Sequence, residues 1–116
     1  MMYYYIFYAD IDLSRFLTFG DAYHQLMYDL VDLCMESLSL IIPADDQTQV
    51  VYVSGGFARN ELFVRLLATR LPHKKVYTSE VDNTTALGAA MVVWERVVGG
   101  ELPYIGLGLK AVIGNQ

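Results

Sequence analysis

Residues 49–71 constrain the fold of this chain more than any other stretch. Gln49 to Ser54 reads Q-V-V-Y-V-S, a short and nearly continuous β-branched run of the kind found in buried parallel strands. Gly55-Gly56 ends the run. From about Asn60 to Leu71, Leu62, Phe63, Leu66, Leu67 and Leu71 recur at helical spacing, and Pro72 stops the helix. A strand that passes through two glycines straight into a helix is a building block of α/β domains.

The remaining segments fit the same alternation. Thr18-Phe-Gly-Asp21 resembles a capping box, with Asp where Glu is commoner. After it, Tyr23, Leu26, Met27, Leu30, Val31, Cys34, Leu38, Ile41 and Ile42 fall on one helical face, with Asp29, Asp32 and Glu36 largely off it. Pro43 disfavours helix at Ile42, and Asp45-Asp46-Gln47 makes a polar loop. Lys75-Val-Tyr-Thr78 reads as a second short strand. Glu80 to Asn83 is a loop in which Asp82 or Asn83 can cap the next helix, from Thr84 to about Val98, stopped by Gly99-Gly100. Its apolar positions are Ala86, Leu87, Ala89, Ala90, Val93, Trp94 and Val97.

At the start, Tyr3 to Tyr8 has high β propensity and reads as a strand or a sticky extended arm. The tail, Glu101 to Gln116, is either a strand or a hydrophobic flap. The predicted fold class is therefore α/β, with short parallel-type strands alternating with three helices. Residues 1–17 form an N-terminal strand or arm, 18–98 the α/β core and 99–116 a C-terminal tail.

With 116 residues the chain is one domain at most. Apolar residues make up 54%, against a usual ~45–50%, and charged residues 18%, against ~25%. Either the chain packs very efficiently or some apolar surface is meant for a partner or another domain. The net charge of −5 and pI of about 4.7 argue against a general polyanion binder. His73, Lys74 and Lys75, with Arg59, Arg65 and Arg70 before them, are a scatter and not a basic stripe.

One cysteine, Cys34, allows no intramolecular disulfide and reads as a thiol on an apolar helix face in a reducing compartment. As a nucleophile it would need a neighbouring base, and His24 lies nearly three turns away along the same helix. The longest charge-free helical stretch, Asn83 to Trp94, is too short to span a bilayer, and the start has no basic n-region. The expected location is the cytoplasm.

The candidate site lies in Val50-Val-Tyr-Val-Ser-Gly-Gly-Phe-Ala-Arg-Asn-Glu61, with Gly55, Gly56, Phe57 and Asn60 as its binding positions. The glycines permit positive φ and let a ligand approach bare backbone. The helix that follows offers unpaired N–H groups and a positive dipole end. Ligands of open α/β sheets lie beyond the carboxyl ends of strands, which is where Gly55 and Gly56 stand. Without a ligand the same residues make a tight strand-to-helix turn. The segment is neither GxGxxG nor a Walker A loop. No catalytic residue and no metal ligand is identified: there are two histidines, no metal-ligand spacing and no Ser-His-Asp set.

The run V-V-Y-V-S-G-G-F-A-R-N-E-L-F-V-R-L-L-A-T-R-L, followed by V-Y-T-S-E-V and T-A-L-G-A-A, resembles the C-terminal domain of FGGY-type carbohydrate kinases, of the rhamnulokinase, fuculokinase or xylulokinase kind. The matching positions are Gly55, Gly56, Ala58, Arg59, Asn60, Glu80 and Ala86-Leu87-Gly88-Ala89-Ala90, and the resemblance covers about Thr18 to Val98. It implies part of an actin-like, ribonuclease H-like ATPase domain. It also implies a site for ATP or ADP with Mg2+. Gly55 and Gly56 would face the nucleotide through backbone and Asn60 would reach adenine or ribose. Phe57 stands where many members have a third glycine, and its ring would shield the base or crowd it.

Alternatives stand beside each role. Asn60 also fits a helix cap, Arg59 a solvated charge, Glu80 a loop carboxylate and Gly88 a close approach of helix to sheet. The resemblance further implies a catalytic Asp and an Asp-x-Gly-Thr-like phosphate hairpin in an N-terminal half, and a second hairpin before the long helix. Asp10-Ile-Asp12-Leu-Ser14 has no glycine and fits neither. The expectation is the nucleotide-binding C-terminal portion of an ATP-dependent ketose kinase, not catalytically competent alone. The alternative is a non-enzymatic oligomerisation or interaction remnant of the same fold. Expected partners are nucleotide and either a second copy, through the 3–8 arm, or the N-terminal kinase half.

Overall fold

The computed structural model describes residues 12–114. The expected strand at Tyr3 to Tyr8 lies outside them. A short 3-10 turn, Leu13–Arg15, leads to α1 (Phe19–Ile41), β1 (Val50–Val53), α2 (Glu61–Arg70), β2 (Lys75–Thr78), α3 (Thr84–Val98) and β3 (Lys110–Val112). The fold is thus mixed α/β, with three α-helices and a three-stranded sheet in the order β1-β2-β3.

Helix α1 starts at Thr18, whose hydroxyl accepts from Asp21 N–H at 3.1 Å, one half of the expected capping box. It ends one residue before Ile42 and two before Pro43. Met27 and Val31 are its buried residues, with Leu26, Leu30, Cys34, Met35 and Leu38 packed around them. Facing them, α2 buries Phe63, Val64, Leu66, Leu67 and Ala68. Leu71 and Val76 complete the core, and Val51, Val53 and Val112 close it from the sheet side. The i, i+3, i+4 apolar spacing of each helix makes this possible, because one stripe of each meets the other.

β1 and β2 are parallel, with Val51 opposite Val76 and Tyr52 opposite Tyr77. β3 lies in the tail, whose sequence fits a strand or a hydrophobic flap and sets no direction. It pairs antiparallel to β2, Ala111 opposite Tyr77. The reason lies in the return path. After α3 the chain comes back past the carboxyl end of β2, where the Leu107 carbonyl accepts from Glu80 N–H at 3.3 Å and Ser79 Oγ at 2.6 Å. A strand entered from that end must run down the sheet. The undecided tail is therefore partly a strand.

Two expectations need correcting. The V-V-Y-V run is not buried on both faces: α1 and α2 cover one face only, and Tyr52 is 61% exposed. α3 has the expected boundaries, yet none of its residues is buried. Gly88, expected to let this helix approach the sheet closely, has no described residue outside its own helix within 4 Å of where its Cβ would stand.

Candidate functional site

The strand-to-helix turn is built by hydrogen bonding and one special backbone conformation. Gly55 has φ +80° and ψ −161°, a region that only glycine occupies at low cost. Its carbonyl accepts from Ala58 N–H at 3.1 Å, and the Phe57 carbonyl from Asn60 N–H at 3.1 Å, so Gly56–Arg59 forms a 3-10 turn. Gly56 is not among the residues of positive φ. Nothing lies within 4 Å of a Cβ placed on Gly55 or Gly56, so both present bare backbone to open space.

Asn60 is the N-cap of α2. Its side-chain oxygen accepts from Phe63 N–H at 3.0 Å, and its amide nitrogen donates to Tyr23 Oη at 2.9 Å. Asn60 thereby fastens the turn both to the helix it opens and to α1. Phe57 lays its ring against buried Phe63, centroids 4.7 Å apart, and remains 51% exposed. The four expected nucleotide-binding positions thus stand together at the carboxyl end of β1, two as bare backbone, one as a half-exposed ring and one as an anchor.

The neighbouring loop after β2 completes the edge. Arg59 is a solvated surface charge, its side chain 72% exposed, and it pairs with Asp82. Thr84 Oγ1 lies 3.2 Å from Ser54 Oγ, linking the end of β1 to the start of α3. The expected cap at Asp82 or Asn83 is not formed. Asn83 adopts a left-handed conformation, φ 54° and ψ 46°, with no side-chain bond to the helix. A short amide side chain tolerates that region better than most, so Asn83 serves as a corner residue.

Glu80 pairs with Lys110 of β3 at 2.6 Å, and the bond draws the carboxyl below the usual carboxylate range and the ammonium above its own. The tail thereby brings β3 into contact with the loop after β2. Between α2 and this edge runs an open groove of about 670 Å³, lined by Ala58, Arg59, Arg65, Thr78, Ser79 and Lys110 among others. It reaches the turn only at Ala58 and Arg59 and does not include Gly55, Gly56, Phe57 or Asn60. Arg65, Thr78 and Lys110 escape sequence reasoning, because nothing in local periodicity says that the tail returns beside β2.

Elsewhere, Asp46 is held down to about 2, first by its hydrogen bond to Lys74 and then by those to Thr48. The Cys34 thiol, packed against the core, is pushed up by burial, the opposite of an activated nucleophile. Among the described residues no group of three His, Cys, Asp or Glu side chains could hold a metal ion, and no helix is long and apolar enough to cross a membrane.

Comparison with known proteins gives one positive result. The family model described as "Carbohydrate kinase FGGY, C-terminal domain" matches residues 27–100. Those residues run from the buried Met27 of α1 through the glycine turn and α2 to the end of α3. A search of curated proteins found no match, and neither did a search of solved structures.

Proposed function

This chain belongs to the C-terminal domain family of the FGGY carbohydrate kinases, and on that premise we propose that it is the nucleotide-binding C-terminal portion of an ATP-dependent ketose kinase. The observation that carries the proposal is the turn at the end of β1. Gly55 and Gly56 expose backbone to open space just ahead of the N-terminus of α2, on the carboxyl side of a parallel strand pair. In the proposed arrangement ATP or ADP lies along this backbone, the half-exposed ring of Phe57 flanks the base, and the amide nitrogen of Asn60 exchanges Tyr23 for adenine or ribose. Membership of the family also supports reading β1, β2 and the two helices on one face as part of an actin-like, ribonuclease H-like ATPase domain, working in the cytoplasm.

The donor set suits the adenosine end of the ligand. In the proposed arrangement Mg2+ and the phosphates are held by other parts of the kinase, where one or two carboxylates and the phosphates themselves suffice for the metal. Phosphoryl transfer needs a positioned base and a metal-bound phosphate chain. The proposal assigns these to the N-terminal kinase half, so that this chain contributes binding and not chemistry by itself.

The test is calorimetric titration with Mg-ADP, beside the variant Gly56→Val. Gly56 has no positive φ and open space at its Cβ, so valine blocks the backbone surface without straining it. Saturable binding that falls at least about tenfold in the variant, roughly 1.4 kcal/mol, is expected. Absence of binding to the parent chain would overturn the nucleotide reading. It would favour the second reading, a non-enzymatic interaction or oligomerisation remnant, which has one observation of its own: α3 buries none of its residues.

A further inference from the structure

The tail carries three glycines, Gly106, Gly108 and Gly114, and two of them stand where a side chain has no room. Gly108 has φ +57°, and a Cβ on it would lie 2.9 Å from Glu80 Cβ and 3.1 Å from Glu80 Oε2. A Cβ on Gly114 would lie 2.9 Å from Thr69 N and 3.0 Å from Thr69 Cα, in the last turn of α2. β3 runs between these two close approaches. Residues 107–114 are thus fitted at one end to the loop after β2 and at the other to α2. A segment that needs glycine at both ends has one seat, because a side chain at either would push it off.

The seated tail is bonded to the loop after β2, and that loop is bonded to the glycine turn. On the tail side, the Leu107 carbonyl accepts from Glu80 N–H at 3.3 Å and from Ser79 Oγ at 2.6 Å, and Lys110 pairs with Glu80 at 2.6 Å. On the turn side, Ser79 N–H donates to the Val53 carbonyl at 3.4 Å, Asp82 pairs with Arg59, and Thr84 Oγ1 lies 3.2 Å from Ser54 Oγ. Ser79 belongs to both sets, and its hydroxyl oxygen also accepts from Val81 N–H at 3.2 Å. Val53 and Ser54 precede Gly55 and Gly56, and Arg59 follows them, so movement of the loop acts on both flanks of the exposed backbone. Both ion pairs are solvated and hold no more firmly than surface pairs do. The glycine fit and the two bonds to Leu107 carry the seating.

We propose that residues 107–114 are a strap which, seated against Ser79, Glu80 and Thr69, holds the glycine turn in its nucleotide-binding geometry, with Ser79 and Gly108 as positioning residues. The inference rests on the nucleotide reading of the turn and adds a control to it. The turn has two arrangements, ordered with the strap seated and loosened with it released, and the ordered one binds. Apparent affinity then follows the fraction of chains that are seated. A strap seated a tenth of the time lowers affinity about tenfold.

Amide hydrogen exchange of the full chain tests the strap without ligand, and titration with Mg-ADP tests its effect on binding. The main variant is Gly108→Val, with Ser79→Ala as a second that removes only the hydroxyl's bonds. Exchange at Glu80, whose N–H bonds Leu107, reports seating, and exchange at Ala58 and Asn60, whose N–H groups close the turn, reports the turn. Exchange at Leu66 and Leu67, inside α2, reports global unfolding. In Gly108→Val, Glu80, Ala58 and Asn60 should exchange at least about tenfold faster, with Leu66 and Leu67 within about twofold of the parent. The Kd for Mg-ADP should rise at least about tenfold. Ser79→Ala should shift the same readings in the same direction by less, and it decides the matter if Leu66 and Leu67 show that Gly108→Val unfolds the chain. Faster exchange at Glu80 with Ala58 and Asn60 unchanged overturns the strap, and so does a released strap that leaves the Kd unchanged. Glu80 still protected in Gly108→Val also overturns it, because the glycine fit then does not seat the tail. A parent chain that binds no Mg-ADP overturns the nucleotide reading alone, and the exchange at Ala58 and Asn60 still decides whether the strap holds the turn.

Discussion

Two residues show how single side chains fix this molecule, and each gives a measurement. Gly55 holds a backbone conformation nearly restricted to glycine, so Gly55→Ala should destabilise the chain by about 1–3 kcal/mol in urea unfolding, although the space around its Cβ is open. The same change at Gly56, where φ is not positive, should cost under about 1 kcal/mol. Asp46 gives a pH signature. Its folded pKa, about 2, lies below the ordinary value, so the stability it contributes is present above an unfolded pKa near 4 and is lost as pH falls towards 2. Asp46→Asn should therefore flatten the acid limb of the stability profile between about pH 4 and 2, leaving its slope near neutrality unchanged.

At the scale of the element, α2 carries the packing. It presents five buried residues from ten, whereas the 15-residue α3 presents none. Leu67 is 4% exposed in the middle of that stripe, and Leu67→Ala should cost about 2–5 kcal/mol through lost transfer energy and a residual cavity. Val92→Ala on α3 should leave the unfolding free energy of the monomer within about 0.5 kcal/mol, because the side chain touches little. Differential unfolding of the two variants at low protein concentration checks the contrast. The caps follow the same logic. Thr18 and Asn60, residues of good capping type in extended conformation, make their bonds, whereas Asn83 in a left-handed conformation makes none.

At the scale of the molecule, the packed unit is smaller than the chain. The radius of gyration is 17.9 Å, against about 13 Å for a compact domain of this length, and the longest dimension is 60 Å. The core of nine buried apolar residues belongs to α1, α2, the turn after α2 and β2. If the second reading holds and the chain oligomerises, the melting temperature should rise with protein concentration, as mass action requires. A melting temperature constant over a hundredfold dilution would be expected instead of a stable monomer.

The sequence by itself determined the local elements and the family. Helical spacing at Leu26, Leu30 and Cys34, the β-branched run at Val50, and the stops at Pro43, Pro72 and Gly99 are properties of neighbouring residues, and they mark α1, β1, α2, β2 and α3 to within a residue or two. The glycine turn was legible for the same reason, since a demand for positive φ is a local demand. The order of small and large residues around that turn carries the resemblance that the family match to residues 27–100 bears out. Only the tertiary structure decided what each face meets. That no described residue outside its own helix comes within 4 Å of a Cβ on Gly88, that Tyr52 is 61% exposed, that β3 runs antiparallel and that Lys110 reaches Glu80 all depend on where distant segments return. An apolar stripe states that a surface avoids water. It does not state which surface will cover it, because the hydrophobic effect has no direction and is satisfied by any partner of the right shape.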